Sequence, residues 1–269
     1  MPSGSNEPSQ DREDFKRTAI EAAQTAARAL AEQTRAGFRI EYKDAVNLVT
    51  EADRQAEQAI IDVIEKAYPA HQILAEERGL QSEHRSPYRW IIDPLDGTTN
   101  FAHGFPAYCV SIALEQEGDI ILGVVLDPSR GELFVAEVGR GASLNGSPIR
   151  VSAVRPLGEA LLVTGFAYDV RDSAQNNLDH FARFTFRAQG LRRTGSAALD
   201  LCYVAAGRFD GFWELKLNPW DTAAGILMVH EAGGRVTDFA GGRFSIYGKE
   251  IVASNGLIHD EMLQVLKKE

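Results

Sequence analysis

Cysteine is nearly missing from this chain of 269 residues, which holds only Cys109 and Cys202. The two are far apart, and each sits in an apolar stretch. A disulfide framework of the kind that staples small secreted domains is excluded, and buried reduced thiols are expected. Histidine is scarce as well. The six, at 71, 84, 103, 180, 230 and 259, show no H-x-x-x-H or similar ligand spacing, so zinc is unsupported. No apolar run reaches the roughly eighteen residues that a membrane span needs. The opening Met1-Pro2-Ser3-Gly4-Ser5-Asn6-Glu7-Pro8 has neither the basic nor the apolar region of a secretory signal. Positive charge is in short supply: 28 basic against 38 acidic residues leave a net charge of −10. A binder of phosphate backbones would carry the opposite balance, so nucleic acid and membrane are both unexpected partners and a cytoplasmic setting is expected. A G-x-S-x-G elbow is also lacking, because Thr194-Gly195-Ser196-Ala197-Ala198 has alanine where the last glycine belongs. That excludes a serine hydrolase of the elbow type.

What is present is an ordinary globular composition, 44% hydrophobic and 25% charged, in a length that suits two domains at roughly 100–200 residues each. Residues 1–11 are polar and aperiodic and read as a disordered tail. From Asp14, the residues Phe15, Ala19, Ala22, Ala23, Ala26, Ala27 and Leu30 recur at helical spacing to near Gly37. A second helix runs through Ala56, Ala59, Ile60, Val63 and Ile64. It opens at the capping-box-like Thr50-Glu51-Ala52-Asp53 and stops before Pro69. Short apolar strands follow at 73–74, 90–92, 110–114 and 120–126, the last two joined by a turn at Glu117-Gly118-Asp119. Hairpin punctuation recurs at Gly139-Arg140-Gly141 and Asn145-Gly146. The pattern changes across 147–156, which predicts an N-terminal α+β domain over 12–150 and a C-terminal α/β domain over 151–269. In the second half the pattern predicts strands at 160–165, 209–214, 234–238 and 250–254, with helices at 176–188, 197–206, 222–232 and from 259.

The densest chemical feature is Asp93-Pro94-Leu95-Asp96-Gly97-Thr98-Thr99-Asn100, directly after the strand Trp90-Ile91-Ile92. Pro94 is barred from an interior strand position and Gly97 permits a tight turn. Asp93, the Leu95 carbonyl and Asp96 can therefore converge, and converging hard oxygens are what magnesium prefers. Further carboxylates stand at Glu76-Glu77, after the strand Ile73-Leu74-Ala75, and at Asp221, heading a helix. Taken singly these would be a solvated rim and a helix cap.

Together, Asp93-Pro94-Leu95-Asp96-Gly97-Thr98-Thr99-Asn100-Phe101 and Pro219-Trp220-Asp221-Thr222-Ala223-Ala224-Gly225 resemble the two signature motifs of the inositol monophosphatase family. The likeness extends through Asn47 to Asp53, Ala75-Glu76-Glu77, Gly195 to Asp200 and Glu231-Ala232-Gly233-Gly234, and so covers about residues 12–269. It implies a layered α-β-α-β-α sugar-phosphatase fold and a magnesium-dependent phosphomonoesterase with two to three ions per site. By the same resemblance, Glu76, Asp93 and the Leu95 carbonyl hold one ion. Asp93, Asp96 and Asp221 hold another, and a third, weaker site uses Glu76 and water. Asp53, Glu76 and Thr98 carry the catalysis, with Thr98 and Asp53 orienting the attacking water. Asp96, Gly97, Thr98, Gly195, Ala197, Glu214 and Asp221 form the substrate site, the helix-start amides around Gly195 and Ala197 suiting an anion or a sugar hydroxyl. Asp53 also reads as the third helical position of its capping box, and Lys43 fits a family lysine near the metals.

The expected substrate is a hydroxyl-rich monophosphate such as inositol 1-phosphate. Fructose 1,6-bisphosphate, histidinol phosphate, nucleotide 3′-phosphates and NADP are handled by relatives. A homodimer and sensitivity to lithium are further family expectations. A phospho-aspartate mechanism is disfavoured because Asp93 and Asp96 are separated by two residues, where the haloacid-dehalogenase motif D-x-D needs one. Some bacterial relatives also act as RNA-polymerase or antitermination partners, which makes a binding module the reading from another class.

Overall fold

A computed structural model describes residues 7–36, 40–42, 48–80 and 85–267; Lys43 and Asn47 lie outside them. The first helix, α1 (Glu7–Ala36), starts inside the stretch expected to be a tail. Pro8 falls in its first turn, where a missing N–H costs nothing. Its small stripe of Ala19, Ala22, Ala23 and Ala26 is fully buried, so it packs closely on α2 (Glu51–Ala67). Between these helices lies the antiparallel pair β1 (Ile40–Tyr42) and β2 (Leu48–Thr50).

The large sheet follows, from β3 (Gln72–Ala75), β4 (Gly79–Leu80) and β5 (Tyr88–Asp96) through β6 (Cys109–Gln116), β7 (Asp119–Asp127) and β8 (Glu132–Glu137) to β9 (Gly141–Leu144) and β10 (Ser147–Pro148). A short helix, α3 (Thr98–Ala102), joins β5 to β6. The strand order is β10-β9-β8-β7-β6-β5-β3-β4. Every pairing is antiparallel except β3 with β5. The expected turn between β6 and β7 is present, with Glu117 and Gly118 both at positive φ, as a two-residue hairpin requires. One expectation fails: β5 does not stop before Pro94 but runs on to Asp96. Its pairing with β6 slips between Asp93 and Asp96, and that irregularity accommodates the proline's missing donor.

Alternation along β5 buries both of its faces. Trp90 and Ile92 join α1 and α2 in one core, and Ile91 turns to a second core on the other side. Each buried isoleucine contributes about 1.5–3 kcal/mol. The second half of the chain builds a five-stranded sheet, ordered β12-β11-β13-β15-β14, from β11 (Leu161–Thr164), β12 (Gly190–Arg192), β13 (Gly211–Leu215), β14 (Arg235–Thr237) and β15 (Glu250–Ser254). Helices α5 (Ala197–Ala205) and α6 (Pro219–Glu231) lie between the two sheets. Their Ala198, Leu201, Ala224 and Met228 pack with Val125 and Phe134 of the large sheet and with Phe212 and Ile251 of the small one. On the far side of the small sheet, α4 (Leu178–Thr185) and α7 (His259–Leu266) complete the layers through Phe184, Trp213 and Met262. The architecture is thus α-β-α-β-α. The chain passes from one sheet to the other between Pro148 and Leu161, and the inner helices give both sheets one continuous core. Both cysteines are free and buried in it.

Candidate active site

The bulged end of β5 delivers the first carboxylates. Asp93 is buried, and its Oδ1 accepts the Leu95 amide at 2.9 Å, which folds the Pro94 bulge back on itself. The Glu76 amide donates to the Ile92 carbonyl at 3.3 Å, and this places Glu76, at the end of β3, beside Asp93. Asp96 turns toward α5: Ser196 Oγ and the Ala198 amide both donate to its Oδ2 at 2.7 Å. A carboxylate at a helix start is stabilised by the free amides there. This alters one expectation, because the α5 amide of Ala198 serves Asp96 and is not open to a ligand. Gly97 then reverses the chain at φ 96. A side chain there would meet the Ala107 carbonyl oxygen at 2.8 Å, so the turn demands glycine for two independent reasons.

Beyond that turn Thr98 opens α3, and its hydroxyl lies 3.1 Å from both Asp53 Oδ1 and the Leu95 carbonyl. Asp53 is fully buried in the first turn of α2. The residue that looked like part of a capping box is therefore also the partner of Thr98, and an Asp–Thr couple forms across 45 positions of sequence.

From the other half of the chain, α6 begins at Pro219, two residues before Asp221 and not after it, and Asp221 Oδ2 accepts the Asn218 amide at 2.7 Å. Asp221 thus closes a helix start and lines the site at once. Glu214, at the end of β13, is buried, and Gly165 leaves it room. A side chain at Gly165 would stand 2.2 Å from its Oε1.

These groups line one open cavity of about 190 Å³: Glu76, Asp93, Asp96 and Asp221 at one end, and Glu214 with Asp200 at the other. The electrostatics are those of like charges removed from water. Burial, then the charges of Glu76, Asp96 and Asp221, hold the Asp93 carboxyl well above the usual carboxylate range. Burial and Asp96 do the same to Asp221, and burial with Asp200 does so to Glu214. Among the described residues, no three His, Cys, Asp or Glu side chains stand as a ready cage around one point.

Gly97, Thr98, Gly195 and Ala197 line the same cavity, so the sequence-predicted set is brought together, Asp53 joining it through Thr98. Other residues of the site were not expected. Asp200, buried on the otherwise apolar α5, accepts the Thr194 hydroxyl at 2.5 Å, and a lone charge on that helix was the available signal. Tyr168, Arg193 and Lys216 also line the cavity. Tyr168 comes from a segment without periodicity, and nothing in the sequence marks it.

The sequence profile of the inositol monophosphatase family matches residues 11–269. An inositol-1-monophosphatase from Synechocystis is 51% identical over 82% of this chain and 77% of its own length. The Nus factor SuhB of Pseudomonas aeruginosa is 50% identical over 80% of this chain and 81% of its own. A solved IMPase/NADP phosphatase complexed with Mg2+ and phosphate superposes at a TM-score of 0.83, with 25% identity, over 97% of this chain and 96% of that one. Acidic groups from both halves of a five-layer fold gather at one cavity, the family's profile matches nearly the full chain, and the protein is a phosphatase that belongs to the inositol monophosphatase family.

Proposed function

We propose that this enzyme hydrolyses the phosphomonoester of a small cyclic polyol, inositol 1-phosphate, to the free polyol and phosphate, using magnesium. The observation that carries this reading is the convergence of Glu76, Asp93, Asp96 and Asp221 on the cavity that Thr98 also lines. Four carboxylates and the Leu95 carbonyl are all hard oxygen donors, which suits magnesium. A phosphate dianion would otherwise be repelled. Glu76, Asp93 and the Leu95 carbonyl would hold one ion, and Asp93, Asp96 and Asp221 a second, with Asp93 shared. Bound magnesium supplies charge neutralisation of the phosphoryl group, acidification of water and stabilisation of the leaving alkoxide.

The chain's own residues do the remaining work. When the Thr98 hydroxyl donates to Asp53, its oxygen lone pairs are free to accept a hydrogen bond from water, so the couple aims the nucleophile. Asp53 is buried, and the carboxyl oxygen it presents to Thr98 is held in place. The amides of Gly97 and Thr98 face the phosphoryl oxygens, and Gly195 and Ala197 flank them. Glu214 accepts hydrogen bonds from substrate hydroxyls, in a pocket shaped by Gly165. A cavity of about 190 Å³ lies below the roughly 300–1,000 Å³ of drug-sized sites, which favours a compact ester over NADP. The reading divides the labour between a metal-binding half, 12–150, and a substrate half, 151–269, in a cytoplasmic homodimer.

The test is phosphate release from inositol 1-phosphate, fructose 1,6-bisphosphate, histidinol phosphate and NADP, with magnesium and with EDTA. Magnesium-dependent release, highest in kcat/KM for inositol 1-phosphate, is the expected result. No release from any of them would overturn it. The likeness to a relative named Nus factor SuhB favours a second role, as a partner of transcription antitermination. Co-purification with RNA polymerase, undiminished in Asp93→Asn, would establish that role separately from catalysis.

A further inference from the structure

The segment from Phe166 to Asn177 begins at the cavity, which Phe166, Ala167 and Tyr168 line, and it is fastened at both ends and in the middle. At its root, Phe166 packs against Phe181 of α4, with ring centroids 5.7 Å apart. At its far end, buried Asn177 donates to the Gly165 carbonyl at 2.8 Å and accepts the Trp213 indole N–H at 2.8 Å. Between them, Lys216 reaches across: its Nζ lies 2.5 Å from Asp169 Oδ2 and 2.7 Å from Ser173 Oγ. Lys216 sits just past Glu214 in the left-handed region, at φ 63. A non-glycine residue holds that conformation only where its surroundings fix it. Here its amide bonds to the Lys249 carbonyl at 2.7 Å, and the side chain spans the rim. The end of β13 therefore contributes twice, sending Glu214 into the cavity and Lys216 to the strap above it.

What the strap presents is Tyr168. Its ring is 51% exposed at the mouth, yet it lines the cavity shared by Glu76, Asp93, Asp96 and Asp221. The phenol stays protonated in that setting, because partial burial and then the charges of Glu76, Asp96, Asp221 and Asp93 all push its ionisation upward. It is a neutral O–H donor on a flat apolar ring, in a cavity that it shares with those four carboxylates and with the cations Arg193 and Lys216. A cyclic polyol has the complementary shape, with a face of C–H bonds and an edge of hydroxyls. An acyclic polyol presents no such face.

We infer that Tyr168, held over the cavity by Lys216, is a specificity-determining residue that packs its ring on the C–H face of a cyclic polyol phosphate and donates its hydroxyl to the substrate. This rests on the phosphatase reading proposed above. The experiment measures kcat and KM for D-myo-inositol 1-phosphate and for acyclic glycerol 2-phosphate, in wild type, Tyr168→Phe, Tyr168→Ala and Lys216→Met. In Tyr168→Ala, the ratio of kcat/KM for the cyclic to the acyclic substrate falls roughly tenfold, with the loss carried by KM. Tyr168→Phe keeps the ring and loses about threefold, and Lys216→Met moves the ratio in the same direction as Tyr168→Ala. An unchanged ratio in Tyr168→Ala overturns the inference, as does a loss carried by kcat. Failure of the phosphatase reading shows separately, because wild type then releases no phosphate from either substrate, and the inference falls with it.

Discussion

Acid should destabilise this protein through His259, by an amount the structure sets. His259 is the first residue of α7 and is fully buried. Its Nδ1 lies 2.8 Å from Ser254 Oγ and its Nε2 2.9 Å from Thr237 Oγ1. Burial, then the nearby Arg235 charge, pulls the imidazole down from its ordinary 6.5 to about 4. The start of a helix is also a poor place for a cation. Between pH 6.5 and 4 the unfolded chain binds a proton that the folded one refuses, so stability is complete above 6.5 and is lost as pH falls toward 4. The difference of 2.5 pH units, at about 1.4 kcal/mol each, amounts to about 3.5 kcal/mol in full, of which about 3 kcal/mol is lost by pH 4. Urea unfolding from pH 7 to 4, compared between wild type and His259→Gln, isolates this contribution. The glutamine does not titrate, and the site carboxylates, whose raised values act in the opposite direction, are common to both proteins and cancel. The stability gap between wild type and variant should narrow by about 3 kcal/mol as pH falls from 7 to 4. Parallel curves over that range would refute the assignment of a neutral, buried imidazole.

Asp93→Asn should abolish magnesium-dependent turnover while raising the stability of the EDTA-treated protein, since it removes one of several buried like charges. Wild-type turnover, or an unfolded variant, would contradict that. Thr98→Ala should lower kcat by about 10²–10⁴-fold and leave magnesium affinity nearly unchanged; isothermal titration showing the loss in metal binding instead would refute the water-orienting role. Gly165→Ala should raise KM, because its methyl would occupy the space of the Glu214 carboxyl, and a KM equal to that of wild type would remove Glu214 from the substrate site.

Much of the fold is written in local pattern. The alanine stripe of α1, the apolar spacing of α2 and the Glu117-Gly118 turn are each set by neighbours a few positions away, and each forms where the pattern places it. Asp93, Asp96 and Asp221 were legible because they stand next to strong punctuation, a Pro–Gly turn and a helix start. What was not legible depends on pairing between distant segments. The reach of β5 past Pro94 is decided by its partnership with β6, and the pairing of Asp53 with Thr98 was reached only through the family resemblance, because it joins positions 45 residues apart. The commitment of the Ala198 amide to Asp96 follows from how α5 lies on the large sheet. Tyr168 owes its position to a lysine 48 residues further on, and no local signal encodes that.

The placement of α6 between the sheets has a consequence for synthesis. The ribosome releases Asp93 and Asp96 long before Asp221, and the helix that bears Asp221 is the same one that covers Val125 and Phe134 on the inner face of the large sheet. Until that helix has been made, the nascent chain carries an uncovered apolar surface and lacks one of the carboxylates that line the cavity. The cover of the large sheet and the Asp221 carboxylate arrive together, in one helix.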